Sequence, residues 1–151
     1  MCIRDRFTLA LETSSYSLVT IAREASKYFS KDGASVISMT FDASTKVYPG
    51  YNVMGTAKAA LENINRQLSA QFGPNKTRFN SISAGPLPSL SARSIPGFTE
   101  MRKAHEERSP IKRPITHEEV ANTALFLISD MSSGITGSII PVDGGYGIIA
   151  L

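Results

Sequence analysis

Tyr51 and Lys58 stand seven positions apart in the segment Tyr51-Asn52-Val53-Met54-Gly55-Thr56-Ala57-Lys58. At about 100° per residue a helix returns such residues to one face, roughly two turns or ~10 Å apart. A phenol in that setting can donate a proton or hydrogen bond to an oxygen that gains negative charge during a reaction. A nearby ammonium stabilises that charge and can hold a ribose hydroxyl. Taken alone the pair is a weak sign, because Tyr and Lys on a solvated helix face are common. Its place in the chain says more. The segment follows a short run with β-branched residues at its centre, Ala34-Ser35-Val36-Ile37-Ser38-Met39, and open α/β sheets bind their ligands at the C-terminal ends of parallel strands.

The elements around this pair read as an alternation. From Leu11 through Ser15, Leu18, Ala22, Ala25 and Phe29, apolar or small residues recur at spacings of three and four, which predicts an amphipathic helix ending near Ser30. Lys31-Asp32-Gly33 supplies a turn into the strand over 34–39. After a polar loop from Thr40 to Gly50, a long helix is predicted from about Tyr51 to Phe72, stopped by Gly73-Pro74. Thr77 to Ala84 is strand-like and ends at Gly85-Pro86. Residues 87–115 read as a proline-rich loop region with a short helix near Phe98 to Glu107. Thr116-His117-Glu118-Glu119 fits a capping box for a helix running to about Ile128, and Ser138 to Val142 is a last strand, closed by Asp143-Gly144-Gly145. Helix and strand alternating in this way predict an α/β fold with right-handed crossovers and a parallel sheet, one side of a doubly wound arrangement.

Composition narrows the function classes. At 151 residues and 42% hydrophobic content, one domain or part of one is expected, spanning 1–151. Sixteen basic against thirteen acidic residues, spread along the chain, argue against nucleic acid as a partner. No apolar run reaches the ~18 residues needed to span a membrane. Cys2, His105 and His117 share no metal-ligand spacing, so no metal is expected, and a reducing, cytoplasmic setting is. The charged opening Met1 to Arg6 runs into a helical pattern without a preceding strand and glycine loop, and reads as a non-native start. A dinucleotide site needs that strand, its glycine-rich turn and the helix N-terminus beyond it. Gly144-Gly145 is no substitute, because too little chain follows for a helix.

Tyr, six residues, then Lys, with Asn-Val-Met-Gly between them, resembles the active-site segment of enoyl-acyl carrier protein reductases in the short-chain dehydrogenase/reductase superfamily. Further segments resemble the same family in the same order: Ser83-Ala84-Gly85-Pro86, Ser109-Pro110-Ile111, Glu119-Val120-Ala121-Asn122, Ser132 to Gly137 and Val142-Asp143-Gly144-Gly145. Ordinary ketone reductases of the superfamily place Tyr four positions before the Lys and Ser thirteen before that Tyr, where this chain holds Met54 and Phe41. Neither can act as an acid or hydroxyl donor. The resemblance implies the C-terminal part of a Rossmann-like fold without its N-terminal cofactor-binding strands. It also implies NADH, or alternatively NADPH, as cofactor, and reduction of the trans-2 double bond of an enoyl thioester carried by acyl carrier protein.

Residue by residue, the resemblance implies that Tyr51 hydrogen-bonds the developing enolate oxygen and that Lys58 binds the nicotinamide ribose. Phe41 stands beside them in the catalytic group, where many members carry a second Tyr, with packing against the thioester as its role. Gly85, Pro86, Leu87 and Ser89 fall where the family contacts nicotinamide and pyrophosphate. Ser89 stands at a position usually held by Thr, and Pro88 replaces a more usual basic residue, which removes a charge and a backbone donor. Met54, Ile95 and Phe98 join Phe41 and Tyr51 as substrate-binding candidates, Ile95, Phe98 and Met101 having near-helical spacing in the family's mobile segment; ordinary core contacts remain an alternative for them. Arg102, Lys103, Arg108, Lys112 and Arg113 could face an acidic carrier protein, or be solvated charge. His105 and His117 read as surface or helix-start residues. The helices over 11–29 and 51–72 match those that pair subunits in a homotetramer. An isolated chain with strand 34–39 as an exposed edge is expected to be poorly soluble, partly unfolded and inactive by itself. Two other readings stay open: a noncatalytic interaction module descended from a reductase, and a reductase of another conjugated or keto substrate.

Overall fold

A computed structural model of the chain describes residues 3–150; Cys2 lies outside them. Three parallel strands, β1 (Ser35–Thr40), β2 (Arg78–Ala84) and β3 (Ile139–Val142), form a sheet in the order β1-β2-β3. Register runs from Ser35 opposite Arg78 to Thr40 opposite Ser83, and from Ser81 opposite Ile139 to Ala84 opposite Val142. The α/β class and the parallel sheet are as the sequence predicts.

β2 is the middle strand and is buried on both sides. Side chains alternate along a strand, so Phe79 and Ile82 point to opposite faces. Phe79 packs with Leu18, Ala22, Leu61 and Leu68 from α2 (Ser17–Ala25) and α3 (Val53–Phe72). Ile82 packs with Ile115, Val120 and Leu127, the last two from α6 (His117–Ile128). Helices thus cover both faces of the sheet, as uninterrupted parallel strands require.

Polar groups of β2 tie it to the chain that leads into β3. The buried Asn80 amide donates to Ile135 O at 2.9 Å and accepts from Ser138 N at 3.1 Å. Arg78 donates to Leu127 O at 2.9 Å, Ser129 O at 3.1 Å and the Ser132 hydroxyl at 2.8 Å. Its guanidinium satisfies carbonyls that the end of α6 leaves open, where a cation also suits the helix dipole.

The first helix differs from expectation. Its helical course starts at Ile3 rather than Leu11: α1 (Ile3–Leu11) continues through one π turn (Glu12–Tyr16) into α2. Ile3 to Arg6 are helical, with Asp5 in the first turn where an acidic group suits the dipole. Buried Ala10 extends the packed stripe upstream, and the Ser15 hydroxyl donates to Leu11 O at 2.7 Å inside the π turn. Strands β1, β2 and β3 begin one residue later than predicted. The proline-rich region holds two helices, α4 (Leu90–Arg93) and α5 (Phe98–Arg108), where one was foreseen. Among the described residues no helix is long and apolar enough to cross a membrane, and no group of three His, Cys, Asp or Glu is placed to hold a metal ion.

The capping box is formed as the sequence predicts. Glu119 N donates to the Thr116 hydroxyl at 3.2 Å and Thr116 N to the Glu119 carboxylate at 2.8 Å. Arg113 grips the same carboxylate through both terminal nitrogens. The Arg113 hydrogen bond, then the Thr116 N–H, hold Glu119 at about 2 against its ordinary 4.5.

Two stability measurements follow. Phe79→Ala should cost about 3–5 kcal/mol in urea unfolding, as for a large buried aromatic; a loss below about 1 kcal/mol would show that β2 is not the packed centre. Because Glu119 titrates lower when folded, its carboxylate stabilises the chain fully above 4.5 and stops doing so as pH falls through about 2. Thermal melts of wild type and Glu119→Gln should differ at neutral pH and converge across that window, whereas a constant difference would contradict the linkage.

Candidate active site

β1 and β2 end side by side, Thr40 opposite Ser83, so the residues that follow them, Phe41 and Gly85-Pro86-Leu87, leave the sheet at the same edge. α3 starts against this edge because Gly55 lets it approach closely: a Cβ there would lie 2.7 Å from Ala43 O. Between them is a cleft of ≈ 380 Å³. Phe41, Tyr51 and Lys58 line one wall, Gly85, Pro86, Leu87 and Ser89 the other, and Ile95, Phe98 and Met101 lie over it. Met54 faces an adjoining hollow of ≈ 510 Å³ that shares Tyr51, Lys58, Ser89 and Ile95 with the cleft. The catalytic, cofactor and substrate candidates named from the sequence therefore all line this cleft or the hollow beside it.

Tyr51 reaches the site by a different route than expected. It is not on the helix face with Lys58, because α3 begins at Val53 and Tyr51 lies in the turn before it. Tyr51 N donates to Tyr48 O at 3.1 Å, closing the Pro49-Gly50 turn, and Met54 N donates back to Tyr51 O at 3.2 Å. Between turn and helix, Asn52 takes φ 46° and ψ −124°. Positive φ is tolerated best, after glycine, by Asn and Asp. The helical repeat thus places Lys58 but not Tyr51.

The Tyr51 ring meets Phe41 edge-on at 5.4 Å between centroids, and Phe41 meets Tyr48 at 4.8 Å. Burial pushes the Tyr51 phenol above its ordinary range and keeps it a proton donor. Lys58 Nζ donates to Met39 O at 2.9 Å. Burial pulls its pKa down, and Glu62, four residues further along the same face of α3, pulls it back up. Glu62 is itself buried and accepts the Thr40 hydroxyl at 2.8 Å. The sequence reading missed this carboxylate and Thr40; the Lys58 to Glu62 spacing was the available signal. His117, the exposed first residue of α6, also lines the cleft.

On the opposite wall, Gly85 N donates to Val142 O at 2.9 Å, so that amide is committed to the sheet. Pro86 offers only a carbonyl. The Ser89 hydroxyl accepts from Ala92 N at 3.1 Å as the cap of α4, which leaves its own proton to donate. An ammonium on one wall, a hydroxyl on the other and aromatic and aliphatic surface between fit the nicotinamide and ribose end of a dinucleotide. The strand, glycine-rich turn and helix that hold a pyrophosphate are not found among the described residues.

One other expectation changes. His105 is buried, 4% exposed, and stacks on Tyr146 instead of lying at the surface. Of the five cations considered for a carrier protein, Arg113 is paired with Glu119, Lys112 donates to Glu107 O, and Lys103 stands 3.7 Å from the Glu107 carboxylate.

The sequence pattern of the family described as Enoyl-(Acyl carrier protein) reductase matches residues 2–147. This chain belongs to that family. It is 47% identical over 148 residues to the enoyl-[acyl-carrier-protein] reductase [NADH] of Synechocystis sp., covering 98% of this chain and 57% of the relative. It is also 45% identical over 143 residues to the enoyl-[acyl-carrier-protein] reductase [NADPH] of Staphylococcus aureus, covering 95% of this chain and 56% of the relative. The Bacillus cereus enoyl-acyl carrier protein reductase, solved with NADP+ and an indole naphthyridinone, superposes with a TM-score of 0.94 at 43% identity, over 98% of this chain and 57% of that one. This reductase-family chain thus spans just over half the length of the relatives it matches.

Ultraviolet titration can check the electrostatics of the family pair. The phenolate absorbance lost on Tyr51→Phe should titrate above pH 10.0, the ordinary value for Tyr. A lost component at or below that value would mean the phenol is solvated and not desolvated in the cleft.

Proposed function

We propose that this chain carries the catalytic pair of an NAD(P)H-dependent enoyl-[acyl-carrier-protein] reductase. The observation that carries the reading is the convergence of Tyr51, Phe41 and Lys58 with the Gly85–Ser89 loop on one cleft at the strand ends. A reduced nicotinamide bound there supplies a hydride to the β-carbon of a trans-2-enoyl thioester. Tyr51 donates a hydrogen bond to the thioester oxygen as it becomes enolate, a charge absent from the ground state, so the interaction favours the transition state. Lys58 holds the nicotinamide ribose and adds positive potential beside that oxygen. Phe41 packs against Tyr51 and narrows the space for the thioester. Ser89 would donate a hydrogen bond from its hydroxyl to the cofactor. Met54, Ile95 and Phe98 cover the acyl chain and exclude water.

The thioester arrives on acyl carrier protein, and Arg102 and Arg108 of α5 are the cations best placed to meet that acidic partner. α1, α2 and α3 pair subunits in a homotetramer, and the setting is cytoplasmic. The cofactor is NADH in the first instance, as named for the Synechocystis relative, with NADPH as the alternative that the Staphylococcus aureus name raises. The 151-residue chain by itself is expected to be inactive, because the pyrophosphate-binding turn is not among its described residues.

The test joins this chain to the part of the Synechocystis relative that the match does not cover, and follows NADH oxidation with a trans-2-enoyl thioester. Tyr51→Phe and Lys58→Ala should each lower kcat/KM by roughly 100-fold or more. A folded, NADH-binding fusion without turnover would shift the reading to a noncatalytic assembly module or to another substrate.

A further inference from the structure

His105 takes part in none of these steps, yet it is buried at the junction of three segments. Its ring stacks on Tyr146 with centroids 4.5 Å and planes 23° apart. A Cβ at Gly85 would fall 2.6 Å from His105 Nε2 and 2.8 Å from its Cε1, so the imidazole edge rests on the Gly85 backbone. Nε2 is buried and has no hydrogen-bond partner among the described residues.

The carboxylates nearby are held by other groups, except that Asp42 Oδ1 is buried without a hydrogen-bond partner among the described residues. The two Asp143 oxygens accept the N–H groups of Gly145 and Gly147 at 2.9 and 2.7 Å. Asp42 accepts the Tyr48 hydroxyl at 2.9 Å and lies 3.4 Å from Lys46, whose ammonium stands 5.2 Å over the Tyr146 ring. His105 is thus wedged between the 143–147 turn and the start of the loop that forms one wall of the cleft. Met101 and Phe98, four and seven residues before it on α5, fall on the same side of that helix and lie over the cleft.

We infer that His105 is a positioning residue: its uncharged ring sets how closely Gly85-Pro86-Leu87 approach the bound nicotinamide and pins the helix that covers the acyl chain. The inference rests on the reductase reading above. Protonation would place a buried cation whose Nε2–H lacks an acceptor against the Gly85 backbone, and burial disfavours such a charge. Burial lowers the His105 pKa, Asp143 and Asp42 oppose that, and Lys46 adds to it. The ring is therefore neutral above its ordinary 6.5, and the wedge is lost as pH falls through the lower value it has when folded.

The experiment uses the same fusion and measures NADH binding by fluorescence, together with kcat and KM, between about pH 8 and about pH 5.5. The parent should bind NADH a few-fold more weakly at the acid end, the loss setting in below the ordinary His value of 6.5. His105→Phe, which keeps the stack and cannot be protonated, should show a flat profile, and His105→Gln serves if the larger ring prevents folding. His105→Ala should raise KM for NADH roughly tenfold at every pH with a smaller change in kcat. Parent and His105→Phe profiles that run in parallel would overturn the inference. So would an alanine variant that melts lower but binds NADH as the parent does. If binding follows the expected profile without enoyl reduction, the inference stands for the cofactor wall and the reductase reading fails. Turnover with pH-independent NADH binding overturns the inference alone.

Discussion

Burial of β2 on both faces is the constraint from which the other features follow. A strand in that position has no water for its polar groups, so each must be met within the protein. Asn80 and Arg78 show how this is done: their side chains collect the loop carbonyls after α6 and aim the chain into β3. Phe79 and Ile82 meanwhile fix α3 on one face and α6 on the other. With those placed, the ends of β1 and β2 cannot diverge, and the loops that leave them are forced to form a cleft between them.

The cleft uses burial as its chemical lever. Taking Tyr51 and Lys58 out of water disfavours the charged form of each. For the phenol this preserves a donor; for the amine it weakens the hold on the proton. Glu62 offsets the second effect from inside α3, and its own exposure to an apolar interior is relieved by the Thr40 hydroxyl. A buried carboxylate on the same helix thereby partly opposes the downward pull of burial on the Lys58 ammonium.

Much of this was legible in the sequence because the relevant patterns are local. Alternation of helix and strand, the Thr116–Glu119 box and the Gly73-Pro74 stop each depend on a few neighbouring residues, and each appears where the pattern placed it. What could not be read depends on contacts between distant segments. Helical spacing carried the reading of Tyr51 two residues too far, because nothing local reveals that Asn52 adopts positive φ. His105 looks like a surface residue in its own polar helix, and only the arrival of Tyr146 and Gly85 from elsewhere buries it. The early start of the first helix was obscured by its charge, since Arg4, Asp5 and Arg6 break an apolar stripe that resumes at Ala10.

The turn at Asn52 divides Tyr51 and Lys58 between two bodies. Lys58 moves with a twenty-residue helix packed on the sheet, while Tyr51 hangs on a short loop held by Phe41 and Tyr48. Sequence changes in that loop can shift the phenol without moving the amine. In the proposed reductase, substrate preference can then change apart from nucleotide binding, even though the two side chains share one cleft.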